Sequence, residues 1–202
     1  FQVTVANVAP TITSTPADPQ YTAEGSTFSM ETITFSDPGF DNPLNVGGET
    51  EETFTYTINW GDGHEAVDLP VTGVTQGSEG VLTTGYIDAS HVYADNGTYT
   101  VTVTVRDDDG DSGSTTFQVV VTNVTPVPTI LGAPATSPEG TTIDLTSSVV
   151  DPGADTFAHA WSVTKNGLPY DGGTDPTFSF TPDDDAQYVV TLTVTDDDSD
   201  TD

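Results

Sequence analysis

Between Tyr99 and Val105 every second residue is large and apolar: Tyr99, Val101, Val103 and Val105, with threonine at each position between them. Successive side chains of an extended chain point to opposite faces, so this run is a strand with one apolar face. Phe117, Val119 and Val121 repeat the pattern in the next run, and Tyr188, Val190, Leu192 and Val194 repeat it near the C-terminus. Further runs near 10–15, 26–35, 53–60, 65–72 and 81–92 are rich in Thr, Val, Tyr and Phe and are separated by Gly, Pro, Asp and Asn. They too are predicted strands, and no stretch shows the 3.6-residue period of an amphipathic helix. The pattern predicts an all-β chain.

The chain also repeats itself. FQVTVANVAP at 1–10 returns as FQVVVTNVTP at 117–126, an offset of 116 from Asn7 to Asn123. FSDPG at 35–39 returns as VVDPG at 149–153, offset 114 from Asp37 to Asp151. Phe54 aligns with Phe157 at offset 103, and Tyr99 with Tyr188 at offset 89. The second copy is thus 25 residues shorter (114 − 89) between these landmarks. Loops absorb such losses at little cost. Matches at both ends of a unit mean tandem domains. Residues 7–122 are the first unit and 123–202 the second, which is expected to lack its last strand. Residues 1–6 copy 117–122 and are expected to be a strand belonging to a preceding domain. A spare strand at one end and a missing one at the other suggest head-to-tail self-association by strand donation between copies.

Composition narrows the partners. There are 32 acidic residues against two basic ones, Arg106 and Lys165, for a formal charge of −30. Such a chain repels nucleic acid and anionic membrane surfaces, and cations are its natural counter-charge. It has no cysteine, which excludes disulfides and thiolate metal sites. No apolar run is long enough for membrane insertion as a helix. Low hydrophobicity with high charge suits disorder, but the regular period of two argues for packed strands.

The segment YTINWGDG (56–63), followed by ASHVYADNGTYTVTVTVRDDDG (89–110), resembles the PKD (polycystic kidney disease) domain family. Unit two departs from that pattern: WSVTKNG stands for the WGDG turn and FTPDDDAQY for the H-x-Y segment. It reads as a divergent PKD-like unit. The resemblance implies two tandem Ig-like Greek-key β-sandwiches, with Tyr99 at a tyrosine corner. It also implies a secreted or cell-surface protein whose partners include neighbouring repeats of the same polypeptide.

The resemblance further implies calcium. Both long alternating runs end in acidic bursts, Asp107–Asp111 and Asp196–Asp200. In the implied topology these loops share one end of each sandwich with the B–C loop and the start of strand A. The implied ligands are Asn7, Asp37, Asp107 and Asp109 in unit one. In unit two they are Asn123, Asp151, Asp196 and Asp198. Calcium takes six to eight oxygens from carboxylates, carbonyls and water, and these residues supply that mixture. The simpler alternative is that acidic loops solvate a strand end and Asp-Pro-Gly is an ordinary turn. Glu24 and Glu139, each followed by Gly, are expected at the opposite end. Glu24 is expected either to reach the calcium site of unit two, as in cadherin-like arrays, or to form a turn before the next strand.

WGDGHE (60–65) brings Asp62, His64 and Glu65 close in sequence, but it reads as a tight turn whose glycines accept positive φ. With three His, no Cys and no nucleophile constellation, the chain is expected to be non-catalytic. The leading expectation is a calcium-stiffened spacer, adhesin stalk or assembly module. The alternative is a carbohydrate- or protein-binding accessory module of a secreted hydrolase, using Tyr21, Phe40, Tyr86 or Tyr170. A third is that the acidity is a solvent adaptation.

Overall fold

The computed structural model describes residues 1–42, 44–45 and 51–198. Within them the chain is all-β, with seventeen strands and no helix. It divides into unit one, Phe1–Thr122, and unit two, Asn123–Asp202.

Unit one contains β1 (Thr11–Ser14), β2 (Gln20–Ala23), β3 (Thr27–Ser29), β4 (Ile33–Asp37), β5 (Phe54–Asn59) and β6 (Glu65–Pro70). It continues with β7 (Gly73–Thr75), β8 (Thr83–Ile87), β9 (Ser90–Val92), β10 (Gly97–Asp107) and β11 (Ser112–Thr122). One sheet has the order β1-β4-β8-β7, a second β2-β11-β10-β5-β6, and β3 pairs with β9. Neighbours such as β4–β8 and β5–β10 are distant in sequence, as Greek-key connections require.

The alternation explains the packing. β10 and β11 pair from Gly97↔Val121 to Arg106↔Ser112, which keeps both apolar series on one face. Val101, Val103, Val105, Phe117, Val119 and Val121 are buried, and Ile33, Phe35 and Ile87 meet them from the opposing sheet. Each such side chain contributes about 1.5–3 kcal/mol of burial energy.

Several sequence expectations change here. The run 26–35 is two strands in different ladders: β3 joins β9, and β4 joins β1 and β8. The run 81–92 likewise divides into β8 and β9. Residue alternation reports which face a side chain takes, not which neighbour the strand chooses. The sequence pattern does not anticipate β2 or β7. β2 lies parallel to β11, from Val119↔Gln20 to Thr122↔Ala23. Pro16 and Pro19 lack backbone donors and interrupt the ladder of β1 before the chain enters the second sheet. Residues 1–6, expected as a strand belonging to a preceding domain, pair with no strand of this chain, and Phe1, Val3 and Val5 are exposed. The matching place in unit one is held by their sequence copy in β11, already paired on both edges by β2 and β10.

Unit two contains β12 (Val127–Leu131), β13 (Ile143–Val150), β14 (Ala158–Lys165), β15 (Leu168–Gly173), β16 (Thr177–Phe180) and β17 (Tyr188–Thr195). Its sheets are β12-β13-β16 and β15-β14-β17. Leu145, Trp161, Val163, Phe180, Leu192 and Val194 form a smaller core. β17 is the last strand among the described residues.

The tyrosine corner forms in unit one: the Tyr99 hydroxyl donates to the Asp95 carbonyl at 2.9 Å. In unit two the Tyr188 hydroxyl also lies 3.2 Å from the Asp184 carbonyl, but it is nearer to the Asp183 carboxylate, Oδ1 at 2.8 Å. Each carbonyl bond reaches four residues upstream and fixes the entry to a long core strand of its unit.

Candidate metal centre

The strands that build the core also deliver the carboxylates. The inward series of β4 runs Ile33, Phe35, Asp37, and that of β10 runs Val101, Val103, Val105, Asp107. In each the period of two continues past the last apolar residue, so the next inward side chain is an aspartate at the rim of the core. β17 does the same with Leu192, Val194 and then Asp196. Asp37, Asp107 and Asp196 are accordingly only 2%, 4% and 5% exposed. Buried carboxylates demand partners or cations.

Their partners repeat between units. Asn7 donates through Nδ2 to Asp107 Oδ2 at 2.9 Å, and Asn123 donates to Asp196 Oδ2 at 2.8 Å. The Gly39 amide donates to Asp37 Oδ1 at 2.7 Å, and the Gly153 amide to Asp151 Oδ1, also at 2.7 Å. The Thr53 amide donates to Asp108 Oδ1 at 3.1 Å, and the Thr156 amide to Asp197 Oδ1 at 2.8 Å. In both units one oxygen is left over: Oδ2 of Asp37 and Oδ2 of Asp151 are buried without a hydrogen-bond partner.

In unit one the surrounding loops are tied down. Asp111 donates its amide to Asp107 Oδ1 at 2.8 Å and accepts from Asn7 at 3.2 Å. The buried Thr83 hydroxyl donates to the Gly39 carbonyl at 2.7 Å and accepts from the Gly77 amide at 2.9 Å. The Glu52 side chain fills the space a Cβ would need at Gly39. Burial raises the Asp37 carboxyl above its ordinary pKa; the Gly39 amide opposes this, and Asp107, Asp108 and Asp109 add to it. Burial also raises Glu52, and repulsion from Asp108, Asp37, Asp109 and Asp107 takes it further, to about 7. The end of unit one thus concentrates negative charge that the folded chain does not itself neutralise.

Not every expected ligand joins these contacts. β10 ends at Asp107, so alternation no longer applies at Asp109, which sits exposed in the following turn. Asp198 is exposed in the turn after β17, and its carboxylate lies within 4.8 Å of that of Asp155. Asp200, in the same acidic burst, lies outside the described residues. Glu24 is buried in the turn after β2, and its amide donates to the Thr122 carbonyl at 3.1 Å. That turn lies where β10 begins, whereas Asp107 lies where β10 ends. Gly25 has φ of 64° and donates its amide to the Tyr93 carbonyl at 2.9 Å, so a turn before β3 is formed there. Glu139 is exposed beside Asp184 and Asp185.

Glu52 escapes the sequence reading, and Asp111 belongs to the acidic burst but not to the expected ligands. A signal for Glu52 exists: it lies two residues before Phe54, and Asp155 lies two before Phe157, both at offset 103. Of the aromatic residues weighed for ligand binding, Phe40 is half-buried in the loop after β4. Tyr21 and Tyr86 are exposed but belong to different sheets, and the Tyr170 hydroxyl donates to the Thr181 carbonyl at 2.6 Å.

No protein-family model and no curated protein matches the chain. The chain is similar to several solved structures. The PKD domain of an M14-like peptidase from a Thermoplasmatales archaeon is 24% identical, covering 57% of this chain and 98% of that one, with a TM-score of 0.40. The fibronectin(III)-like modules of Clostridium thermocellum CbhA are 14% identical, covering 95% of this chain and 88% of that one, with a TM-score of 0.32. The Yersinia pseudotuberculosis adhesin InvE is 17% identical over 96% of this chain and 56% of its own length, with a TM-score of 0.34.

Proposed function

We propose that the chain is a non-catalytic tandem segment of a secreted or cell-surface protein, built from PKD-like units and stabilised by calcium at one end of each. One observation carries the calcium reading. Asp37 and Asp151 occupy equivalent positions, accept the same glycine amide through Oδ1, and keep a buried Oδ2 without a partner. Leaving a buried acceptor unsatisfied costs about 1–3 kcal/mol, and more for a charged group. A bound cation accounts for the same cost arising twice.

The donors suit a hard cation, because all are oxygens. In unit one the unpartnered Asp37 Oδ2 would lead, with Asp107 and Glu52 supplying the surrounding charge. In unit two the unpartnered Asp151 Oδ2 would lead, beside the buried Asp196. Calcium would supply the charge that these carboxylates lack and would fasten the loops to the strand ends. Unit rigidity of that kind suits a spacer, adhesin stalk or assembly module. The tandem repeat and the WGDG and H-x-Y segments support the placement in a surface protein.

Calcium titration of chelator-treated protein by calorimetry, at fixed ionic strength, tests this reading. Two saturable sites are expected, one removed by Asp37→Asn and one by Asp151→Asn. Heats that track ionic strength alone, or variants that bind like the parent, would overturn it in favour of solvent adaptation.

A further inference from the structure

The turn between β5 and β6 carries a second constellation, separate from the carboxylates above. Asp62 Oδ2 lies 2.7 Å from His91 Nε2 and 3.1 Å from His64 Nδ1. The three ligand atoms lie within 4.8 Å of one another. We propose that Asp62, His64 and His91 form a binding site for a divalent transition-metal ion of the zinc type.

The donor chemistry points to that class. Two imidazole nitrogens and one carboxylate oxygen suit zinc, nickel or copper, whereas calcium prefers oxygen alone. The spacing fits as well. With bonds of about 2.0–2.1 Å, two ligand atoms on a tetrahedral zinc stand roughly 3.3 Å apart. Both observed hydrogen bonds are somewhat shorter than that edge, so small side-chain movements would admit the ion. A cation would therefore replace the protons that now bridge these atoms.

The ligands are also held in place before any ion arrives. Asp62 Oδ1 accepts the His64 amide at 3.0 Å. His91 stacks on Trp60, with ring centroids 4.8 Å apart and planes 8° from parallel, and meets Tyr93 edge-on at 4.7 Å. Burial raises the Asp62 carboxyl, but the hydrogen bonds from His91 and His64 outweigh it and hold the group below its ordinary pKa. Asp62 and His91 are 11% and 14% exposed, whereas His64 is 73% exposed. The site thus has two fixed walls and one exposed ligand on the solvent side, through which an ion enters and water completes the coordination. An ion there would fasten the β5–β6 turn to β9. A net charge of −30 raises the local concentration of any cation.

The test is a zinc titration of the full chain by calorimetry in excess calcium, which occupies the hard-cation sites and suppresses binding to surface carboxylates. One saturable zinc site is expected. His64→Ala should weaken it at least tenfold while leaving the fold intact, since that side chain is exposed. Asp62→Asn should weaken it similarly. His159→Ala, which removes the third histidine of the chain, should leave it unchanged. Absence of a saturable site overturns the proposal, as does equal zinc binding by the parent and His64→Ala. Neither result bears on the calcium reading, which rests on different residues.

Discussion

Asn7 and Asp107 lie 100 residues apart in the chain and meet in a 2.9 Å hydrogen bond at the rim of the core of unit one. Asn123 and Asp196 repeat the bond at 2.8 Å across only 73 residues. The second copy has lost 27 residues between the partners (100 − 73) and kept the contact. Sheet pairing sets where the strand ends meet, so the contact survives although 11 of those residues (114 − 103) are lost between Asp37 and Phe54, next to the site.

Calcium should raise the melting temperature measured by scanning calorimetry. An ion that binds only the native state adds about 2.7 kcal/mol at a hundredfold excess over Kd. The double variant Asp37→Asn, Asp151→Asn should lose this response. In chelator the same variant should be at least as stable as the parent, because an amide removes the buried charge.

Stability in chelator should depend on pH through Glu52. Its pKa rises from 4.5 to about 7 on folding, so the folded chain holds this proton more tightly than the unfolded chain does. The associated stability is full below about pH 4.5 and is lost as pH rises through about 7. Urea unfolding across that interval should show the decline, and Glu52→Gln should flatten it. Saturating calcium should offset the decline, since it binds the deprotonated site.

Gly61 and Gly63 both have positive φ, 85° and 93°, but their surroundings differ. A Cβ at Gly61 would stand 2.6 Å from the Thr100 carbonyl oxygen, whereas none of the neighbours crowds Gly63. Gly63→Ala should cost about 1–2 kcal/mol, the conformational term alone. Gly61→Ala should cost clearly more, because backbone must move. Equal losses in denaturant melts would contradict this assignment of the turn.

Tyr99→Phe should cost about 0.5–1.5 kcal/mol, the net worth of one neutral hydrogen bond, and Tyr188→Phe up to about 3 kcal/mol, since its nearest acceptor is the Asp183 carboxylate. Both rings stay packed, so circular dichroism should be unchanged. A neutral outcome in both would mean that the corner bonds do not hold the strand entries.

The sequence by itself determined the strand character of the chain, its two copies and the faces on which Val101, Val103, Val105, Leu192 and Val194 lie. Period and offset are local properties, and they survive any choice of neighbour. The family resemblance marked Asn7, Asp37, Asp107 and Asp109 with their copies Asn123, Asp151, Asp196 and Asp198, but not which of the repeated acids would be buried. Tertiary structure alone decided which ladder received each half of 26–35 and 81–92, since strand pairing depends on edges distant in sequence. It alone ended β10 at Asp107 and left Asp109 in a turn, where alternation has no force. Glu52 and the Asp62–His64–His91 group belong to the same class. Their members come from separate segments, and only packing of the sheets brings the carboxylates and imidazoles within reach of one another.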